Sequence, residues 1–284
     1  MQIPKFVDID KILKTKSPKL YRFLPRFLIN YVIKKLHQDA INLGIHLNKD
    51  KFGHDFNNGC LEYVGAKVKI SGEENIPKSG PVIVASNHPM GGLDGMAVTH
   101  AVSKVRTDTV FFVNDILKNL KNYANLFVGV SKLGTTSSTA LKAVVDEYST
   151  NKAVLVFPAG LVSRKQGKLI RDTEWKKSFV SKSVQYNNLI IPAFVNGENS
   201  KFFYNVAMWR KRFGIKTNIE MFFLPDEMFS SSNKEMHIHF GKPISPSLFT
   251  SDKTHLQWAQ KIKEFVYSKN FLSGESFEDF LRHS

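Results

Sequence analysis

Residues 81–95 read PVIVASNHPMGGLDG, and this stretch decides how the rest of the chain is interpreted. Its first six residues are mostly apolar and β-branched, which predicts a buried β-strand. A glycine-rich turn containing His88 follows, and Asp94 lies where a helical pattern begins. A histidine after a buried strand and an aspartate at the start of the next helix predict an α/β fold with a ligand site at that edge of the sheet.

The pair His88 and Asp94 is typical of general-base chemistry. Neutral imidazole accepts a proton from a hydroxyl near neutral pH, because an unperturbed histidine has a pKa of about 6.5. A carboxylate on the other ring nitrogen fixes the tautomer and stabilises the imidazolium. The alternative is structural: His88 caps the turn between strand and helix, and Asp94 is only the N-cap of the helix. Taken alone, the spacing fits both interpretations.

Length and composition indicate a folded α/β protein. The chain has 284 residues, of which 42% are hydrophobic and 23% charged, so it can bury a sizeable core. The single cysteine, Cys60, excludes an intramolecular disulfide and a thiolate metal cluster, and a reducing compartment fits best. We find no internal repeat, low-complexity segment or linker that divides the chain.

The net charge of +15 indicates an anionic partner, and three kinds fit: nucleic acid, anionic lipid headgroups or an acidic carrier protein. Residues 1–36 contain nine Lys or Arg against two Asp, and most of the remaining excess lies in 163–182 and 201–216. No stretch approaches the roughly 20 apolar residues of a membrane-spanning helix, and the amino terminus lacks a signal-peptide pattern. We therefore expect no segment to cross a bilayer.

Residues 19–43 predict a cationic amphipathic helix, which Pro25 either starts or kinks. Polar side chains recur every four residues at Arg22, Arg26, Asn30 and Lys34, and aromatic and aliphatic side chains cover most of the remaining surface. Such a helix suits the headgroup region of an anionic membrane. It could equally pack on the protein's own core with a solvated basic edge. We predict a basic, helical N-terminal region over 1–60 and an α/β domain over 61–284.

The remaining pattern alternates strands with helices, which predicts a mostly parallel central sheet flanked by helices. Further strands are predicted over 66–71, 109–113, 126–130, 153–157, 189–194, 218–224 and 235–240. Helices are predicted over 95–104, 115–123, 175–185 and 256–266, with another capped by Ser137.

At residues 157–160, Phe-Pro-Ala-Gly, the sequence resembles the glycerolipid or lysophospholipid acyltransferase superfamily. That family has a His/Asp block after a strand, a block with a basic residue, a Phe-Pro-Glu-Gly block and a strand ending in proline. The corresponding blocks here are 87–94, 127–134 with Lys132, 157–164, and 190–192. Their order over residues 65–195 is much more specific than any one block, and it favours the catalytic interpretation of His88 and Asp94.

Two departures point to one branch of the family. Five residues separate His88 from Asp94, where the family usually has four, and Ala159 replaces the usual Glu. Both features are similar to the hemolysin-like branch that acylates lyso-amino-lipids (ornithine or glycine lipids), whose blocks read His-Pro-x-Gly-Gly-x-Asp-Gly and Phe-Pro-Ala-Gly. The family resemblance allows a lyso-amino-lipid or lysophosphatidate as acceptor. The two departures favour the lyso-amino-lipid, because they argue against ordinary lysophosphatidate and glycerol 3-phosphate.

The resemblance implies an O-acyltransferase of membrane lipid synthesis. His88 would take the proton of the acceptor hydroxyl, and Asp94 would orient the imidazole. Amides near Gly91, Gly92 or Gly160 would hold the oxyanion. The third block would contribute Phe157, Pro158 and Gly160 to substrate binding, beside a cavity for a hydrocarbon chain. Cations that would grip an anionic end of acceptor or donor are Lys132, Arg164 and Arg171.

The resemblance also implies the partners. The acyl donor would be an acyl-carrier-protein or coenzyme A thioester, and no metal or other cofactor is expected. The protein would lie on the cytoplasmic face of the inner (plasma) membrane, bound peripherally to anionic lipids.

Two other functions are weighed against this one. A lipid hydrolase would be expected to show a Gly-x-Ser-x-Gly elbow, which the sequence lacks. A basic nucleic-acid-binding module would suit the aromatic and cationic runs at 175–177 and 209–212, but neither has a nucleic-acid fold signature around it, so we expect no nucleic acid. His237 and His239 share a strand face, and without a further ligand at suitable spacing a structural role is expected.

Overall fold

The computed structural model describes residues 3–16, 18–114, 120–123, 126–130, 138–216, 218–232 and 234–283. Within these ranges the chain forms a seven-stranded sheet and a two-stranded hairpin. The strands are β1 (Lys67–Ser71), β2 (Val82–Ser86), β3 (Thr109–Asn114), β4 (Phe127–Val130), β5 (Ala153–Val156), β6 (Arg164–Gln166), β7 (Leu169–Arg171), β8 (Leu189–Asn196) and β9 (Glu235–Phe240).

The large sheet has the order β1-β9-β8-β2-β5-β3-β4, and its neighbours are parallel except for the antiparallel pair β8 and β9. Strands β6 and β7 form the separate antiparallel hairpin. The predicted mostly parallel α/β architecture is confirmed. The five strands from β8 to β4 end at the same edge of the sheet, which is where residues 87–94 follow β2.

Helices cover both faces of the sheet. They are α1 (Ile9–Lys16), α2 (Pro18–Phe23), α3 (Arg26–Lys35), α4 (Gln38–Leu47), α5 (Gly53–Val64), α6 (Gly92–Ser103), α7 (Ser138–Tyr148), α8 (Ser178–Tyr186), α9 (Lys201–Arg212), α10 (Leu224–Ser230), α11 (His255–Val266), α12 (Lys269–Leu272) and α13 (Phe277–Arg282).

The central strand β2 is buried on both faces, which explains its continuous apolar sequence. Val82 and Val84 pack into a core with α5 and α6. Ile83 and Ala85 pack into the opposite core with α8 and α11. Successive side chains of a strand point to opposite faces, so this one strand contributes to both layers.

The N-terminal region differs from its prediction. The helix predicted over 19–43 is interrupted at Pro25, where a start or a kink was predicted, and again near His37, so that it forms α2, α3 and α4. Pro25 is the N-cap of α3 with an extended ψ of 145°, and a proline restricts the residue before it to non-helical conformations. His37 adopts a left-handed φ of 50° before α4. Helix α3 buries Ile29 and leaves aromatic side chains of this region exposed (Phe23, Phe27 and Tyr31).

That region is linked to the α/β core at α10. Lys35 Nζ and His37 Nε2 lie 3.1 and 2.8 Å from the Asp226 carboxylate, and the His37 ring stacks on Phe229. Helix α5 runs across the predicted boundary between residues 60 and 61. The division into two regions and the membrane binding of the first stay predictions.

The strand predicted over 218–224 is wrong. Residues Ile219–Phe223 form a 3-10 turn that leads directly into α10. Pro225 occupies the first turn of α10, where its missing N–H costs nothing, and Glu220 is fully buried by two arginines described below. Of the helix predicted over 115–123, residues 115–119 lie outside the described ranges, and Lys121–Tyr123 is a 3-10 turn. Ser137 also lies outside them.

Within the described residues, no helix combines the length and the apolar character needed to cross a bilayer. In the same ranges, no three His, Cys, Asp or Glu side chains are arranged to hold a metal ion. His237 and His239 contact the Ser71 hydroxyl of the neighbouring strand, at 3.0 and 2.7 Å.

Candidate active site

The loop that carries His88 is attached to the sheet by the residue before it. The side chain of Asn87 continues the pairing with β8, because its Nδ2 donates to the Val195 carbonyl (3.0 Å) and its Oδ1 accepts from the Val195 N–H (2.6 Å). Asn87 is buried. This pairing fixes the point at which the chain leaves β2, and it places His88 at the carboxyl edge of the sheet.

His88 and Asp94 are in contact, as predicted. His88 Nδ1 lies 3.0 Å from Asp94 Oδ2. The same oxygen accepts the backbone N–H groups of Met90 (2.7 Å) and Gly91 (2.9 Å). Gly91 is the N-cap of α6, so the carboxylate three residues later binds the start of its own helix. The structural and catalytic interpretations are therefore compatible: one oxygen closes the loop and holds the imidazole.

The Asp94 carboxyl is fully buried, whereas the His88 side chain is 18% exposed. Burial raises the pKa of Asp94, and contacts with His88, Met90 and Gly91 lower it, with a net upward direction. Asp94 Oδ1 has no hydrogen-bond donor among the described residues. The pair therefore combines a dry carboxylate with an imidazole that reaches the surface.

Phe157 holds the other side of the imidazole. Its ring stacks on His88 with centroids 4.1 Å apart and planes 18° from parallel. Phe111 packs edge-on against Phe157 at 5.5 Å. The first and third sequence blocks therefore meet in space. Asp94 contacts the His88 ring at Nδ1, and Phe157 contacts one face of it.

Asp172 is a component that the sequence analysis missed. It is fully buried, and its Oδ1 accepts the His88 backbone N–H (3.2 Å) and the Ser163 hydroxyl (2.6 Å). Its Oδ2 accepts the Trp175 indole N–H (2.8 Å). The Ser163 N–H donates in turn to the His88 carbonyl (2.7 Å). Asp172 thus fixes the backbone on which the imidazole is mounted. The sequence signal was weak: an aspartate three residues before a tryptophan in an otherwise polar segment.

The three glycines proposed for oxyanion binding are not equivalent. The N–H of Gly91 donates to Asp94, and the N–H of Gly160 donates to the Phe157 carbonyl (2.9 Å). Gly92 is the first residue of α6, where a helix has no internal acceptor for the N–H. Which of the three binds an oxyanion stays a prediction.

Pro158 and Gly160 bring one more cation to this loop. The Pro158 carbonyl accepts the backbone N–H of Lys176 (3.0 Å), and the Lys176 ammonium lies against Gly160, 3.3 Å from where a Cβ would stand. The sequence analysis noted Lys176 only as part of a basic run.

The three predicted cations differ in their surroundings. Lys132 lies outside the described residues. Arg164 Nη2 pairs with Glu220 Oε1 (2.7 Å), and Arg210 Nε lies 2.8 Å from the other oxygen of that buried carboxylate. The Arg171 guanidinium lies 5.2 Å from the centroid of the Tyr267 ring. Arg164, Arg210 and Glu220 together carry a net charge of +1. The sequence analysis did not identify Glu220 as a partner of these arginines, because its segment was predicted as a strand.

Two of the surface cavities lined by described residues lie away from His88 and Asp94. The larger, about 520 Å³, is lined by Glu174, Lys176, Lys177, Thr254, His255 and Leu256. The second, about 340 Å³, lies between α5, α6 and β1. Neither is lined by His88 or Asp94, so the predicted cavity for a hydrocarbon chain beside this pair stays a prediction.

Comparison with known proteins identifies the family. A family model described as "Acyltransferase" matches residues 11–278. A protein of Bacteroides thetaiotaomicron named lyso-glycine lipid O-acyltransferase is 44% identical over 262 residues, which cover 92% of this chain and 96% of the relative. A protein of the same name from Phocaeicola vulgatus is 43% identical over 262 residues, which cover 92% and 94%.

Among solved structures, this chain is similar to the 1-acyl-sn-glycerophosphate acyltransferase PlsC from Thermotoga maritima. The sequences are 14% identical, the TM-score is 0.48, and the match covers 90% of this chain and 91% of PlsC. The family match and the two relatives confirm what the order of the four blocks predicted: this chain is an enzyme that belongs to the acyltransferase family.

Proposed function

We propose that the protein is a lysolipid O-acyltransferase of membrane lipid synthesis, with a lyso-amino-lipid of the glycine or ornithine type as acceptor. The observation that carries the proposal is the 3.0 Å contact between His88 Nδ1 and Asp94 Oδ2. The acceptor class is supported by the two relatives named lyso-glycine lipid O-acyltransferase and by the departures at 88–94 and Ala159.

The reaction follows from the arrangement of the two side chains. In this reaction the proton of the imidazole lies on Nδ1, the nitrogen 3.0 Å from Asp94 Oδ2, and Nε2 acts as the base. Nε2 takes the proton of the acceptor hydroxyl while the oxygen attacks the carbonyl carbon of the thioester. When the tetrahedral intermediate collapses, the carbon–sulfur bond breaks and the leaving thiolate takes the proton from the imidazolium. Asp94 stabilises the imidazolium between these steps.

Other groups position the reactants. Phe157 and Asp172 restrict the ring and the backbone of His88, which keeps the base in place for attack. The N–H of Gly92 donates to the oxyanion. Lys132, Arg164 and Arg171 attract the anionic ends of acceptor and donor, with Lys176 beside Gly160 as an additional cation. The acyl donor is an acyl-carrier-protein or coenzyme A thioester, with no metal or further cofactor.

The protein acts at a membrane surface. Its net charge of +15 suits anionic headgroups, and the N-terminal helices expose Phe23, Phe27 and Tyr31 for insertion among them. We place it peripherally on the cytoplasmic face of the inner (plasma) membrane.

The direct test is acyl transfer by purified protein to lyso-glycine lipid from acyl-carrier-protein and coenzyme A thioesters. We expect His88→Ala to lower kcat about 10²–10⁴-fold, the usual contribution of a positioned base. The matched control is His283→Ala, which removes an exposed histidine near the end of α13. Equal transfer by the His88 variant and the wild type would contradict the assignment of the base.

The acceptor is tested separately by lipid mass spectrometry of a deletion strain. We expect loss of a diacylated amino lipid and accumulation of its monoacyl form. A change confined to phosphatidic acid would overturn the acceptor class. Release of free fatty acid without transfer would favour a hydrolase, and salt-sensitive nucleic-acid binding without transfer would favour a binding module.

A further inference from the structure

Helix α9 carries a line of exposed aromatic side chains. Phe202, Trp209 and Phe213 are 54, 60 and 68% exposed. Separations of seven and four residues bring all three to the same face of a helix. Beside them, Phe222 of the following turn is half exposed, and Phe223 packs edge-on against Phe202 at 5.0 Å. We call Phe202, Trp209, Phe213 and Phe222 the α9 patch.

The surroundings of the α9 patch are cationic. Residues 201–216 contain five Lys or Arg and no acidic residue. Arg210 pairs with the buried Glu220, while Lys201, Lys211, Arg212 and Lys216 are exposed. Lys201 and Arg212 directly precede the first and the last aromatic residue of the line, Phe202 and Phe213, in the sequence. Aromatic side chains bordered by free cations suit the headgroup region of an anionic bilayer, where rings insert and cations remain at the surface.

The helix is rigidly connected to the His88 loop. It begins shortly after β8, which ends at the same edge of the sheet as β2. Asn199 Nδ2 donates to the carbonyl of Pro89 (3.0 Å), next to His88, and the Asn199 N–H donates to the Tyr204 hydroxyl (3.1 Å). Phe203, Tyr204 and Ala207 are buried and anchor the opposite face of α9. A surface that binds the α9 patch is thus held in a defined orientation relative to the imidazole.

We propose that the α9 patch is a second membrane contact, separate from the N-terminal helices, which inserts into an anionic bilayer and turns the His88 edge of the sheet toward it. The inference rests on the proposed function, because a lysolipid acceptor embedded in a bilayer must reach the base. A bilayer fits better than an acidic protein or a nucleic acid, since three exposed aromatic rings share one face of the helix and the exposed cations lie beside them.

The chain's three tryptophans make this contact directly measurable. Trp175 and Trp258 are buried, whereas Trp209 is 60% exposed. With vesicles of equal parts phosphatidylcholine and phosphatidylglycerol, we expect a blue shift of tryptophan emission and quenching by brominated acyl chains. Trp209→Phe should bind the vesicles and lose both signals. A wild-type protein that sediments with vesicles but shows neither signal would overturn the proposal.

A second experiment removes the patch. The variant Phe202→Ser/Trp209→Ser/Phe213→Ser should bind these vesicles about tenfold or more weakly, because exposed rings supply much of the affinity of an interfacial helix. Leu272→Ser, a half-exposed site on α12, is the matched control for loss of an apolar side chain. Circular dichroism and urea unfolding establish that both variants are folded. Unchanged vesicle binding by the triple variant, or a loss confined to RNA or acyl-carrier-protein binding, would overturn the proposal.

Transfer assays separate this inference from the proposed function. The triple variant should acylate a soluble short-chain lysolipid at the wild-type rate and lose activity only toward acceptor in vesicles. If wild-type protein transfers no acyl group to either acceptor, the proposed function fails, while the fluorescence and sedimentation results still decide whether α9 binds membranes.

Discussion

Asp94 and Asp172 are both fully buried carboxylates that contact His88, but they hold different parts of it. Asp94 lies 3.0 Å from the ring and accepts two N–H groups of its own loop. Asp172 accepts the backbone N–H of His88 and ties it to Ser163 and Trp175. One carboxylate contacts the imidazole, while the other contacts the main chain. Replacing each should therefore produce opposite patterns of lost activity and lost stability.

Asp94→Asn should have the largest effect on catalysis. An amide oxygen in the place of Oδ2 can still accept from Met90 and Gly91, but it lacks the charge that stabilises the imidazolium. We expect kcat to fall about 10²–10⁴-fold, with a smaller change in unfolding free energy than for the Asp172 variant. The pH profile of kcat/KM should change as well, because the carboxylate contacts the ring directly. Near-wild-type kcat would show that Asp94 serves only the loop.

Asp172→Asn should have the reverse pattern. The carboxylate accepts donors on both oxygens, and an amide offers one acceptor, so one buried donor loses its partner. We expect the free energy of unfolding to fall by about 1–3 kcal/mol, measured by urea denaturation, and kcat to fall only about tenfold through misplacement of the base.

The exposed Asp146→Asn is the control for this substitution. The shape of the pH profile should be retained in Asp172→Asn, because this carboxylate touches the backbone of His88 and not its ring. A changed profile with unchanged stability would reverse the roles assigned to the two acids.

A pair of glycine substitutions sharpens the comparison further. Gly91 has φ of +85°, and an added Cβ would lie 2.9 Å from Leu224 Cδ1, whereas nothing lies within 4 Å of a Cβ at Gly92. We expect Gly91→Ala to lower the free energy of unfolding by about 1–3 kcal/mol, because this backbone conformation is strained for other residues. Gly92→Ala should leave stability close to wild type in the same urea titration. Equal losses of unfolding free energy in the two variants would contradict the view that Gly91 is needed for its left-handed backbone conformation.

The contrast also explains what the sequence could and could not predict. Asp94 lies six residues after His88, and this short spacing, together with the order of the four sequence blocks, was what predicted the pair. Asp172 is 84 residues from His88, and the β6–β7 hairpin pairs Ser163 with Asp172 where both contact the His88 backbone. Strands with continuous apolar sequence, such as β2 and β8, were predicted closely because burial on both faces leaves few alternatives.

The wrong predictions have equally specific causes. The apolar residues of 219–224 suggested a strand, but Glu220 receives Arg164 and Arg210, which are distant in sequence. Hydrophobic periodicity continued through His37, although its left-handed backbone conformation separates two helices there. A long-range ion pair determined the structure of 219–224, and a backbone restriction ended the helix near His37. The spacing of hydrophobic residues gives no information about either.

The shared role of Asp94 Oδ2 limits how this enzyme can be redesigned. Because a single oxygen holds two amides and an imidazole, the length of its side chain, the number of residues in the turn and the first winding of α6 are mutually dependent. Lengthening the acid to glutamate or inserting one residue would displace all three partners together. Anyone transplanting this reactive centre into another scaffold must therefore graft residues 87–94 as one block with the strand and helix that flank it.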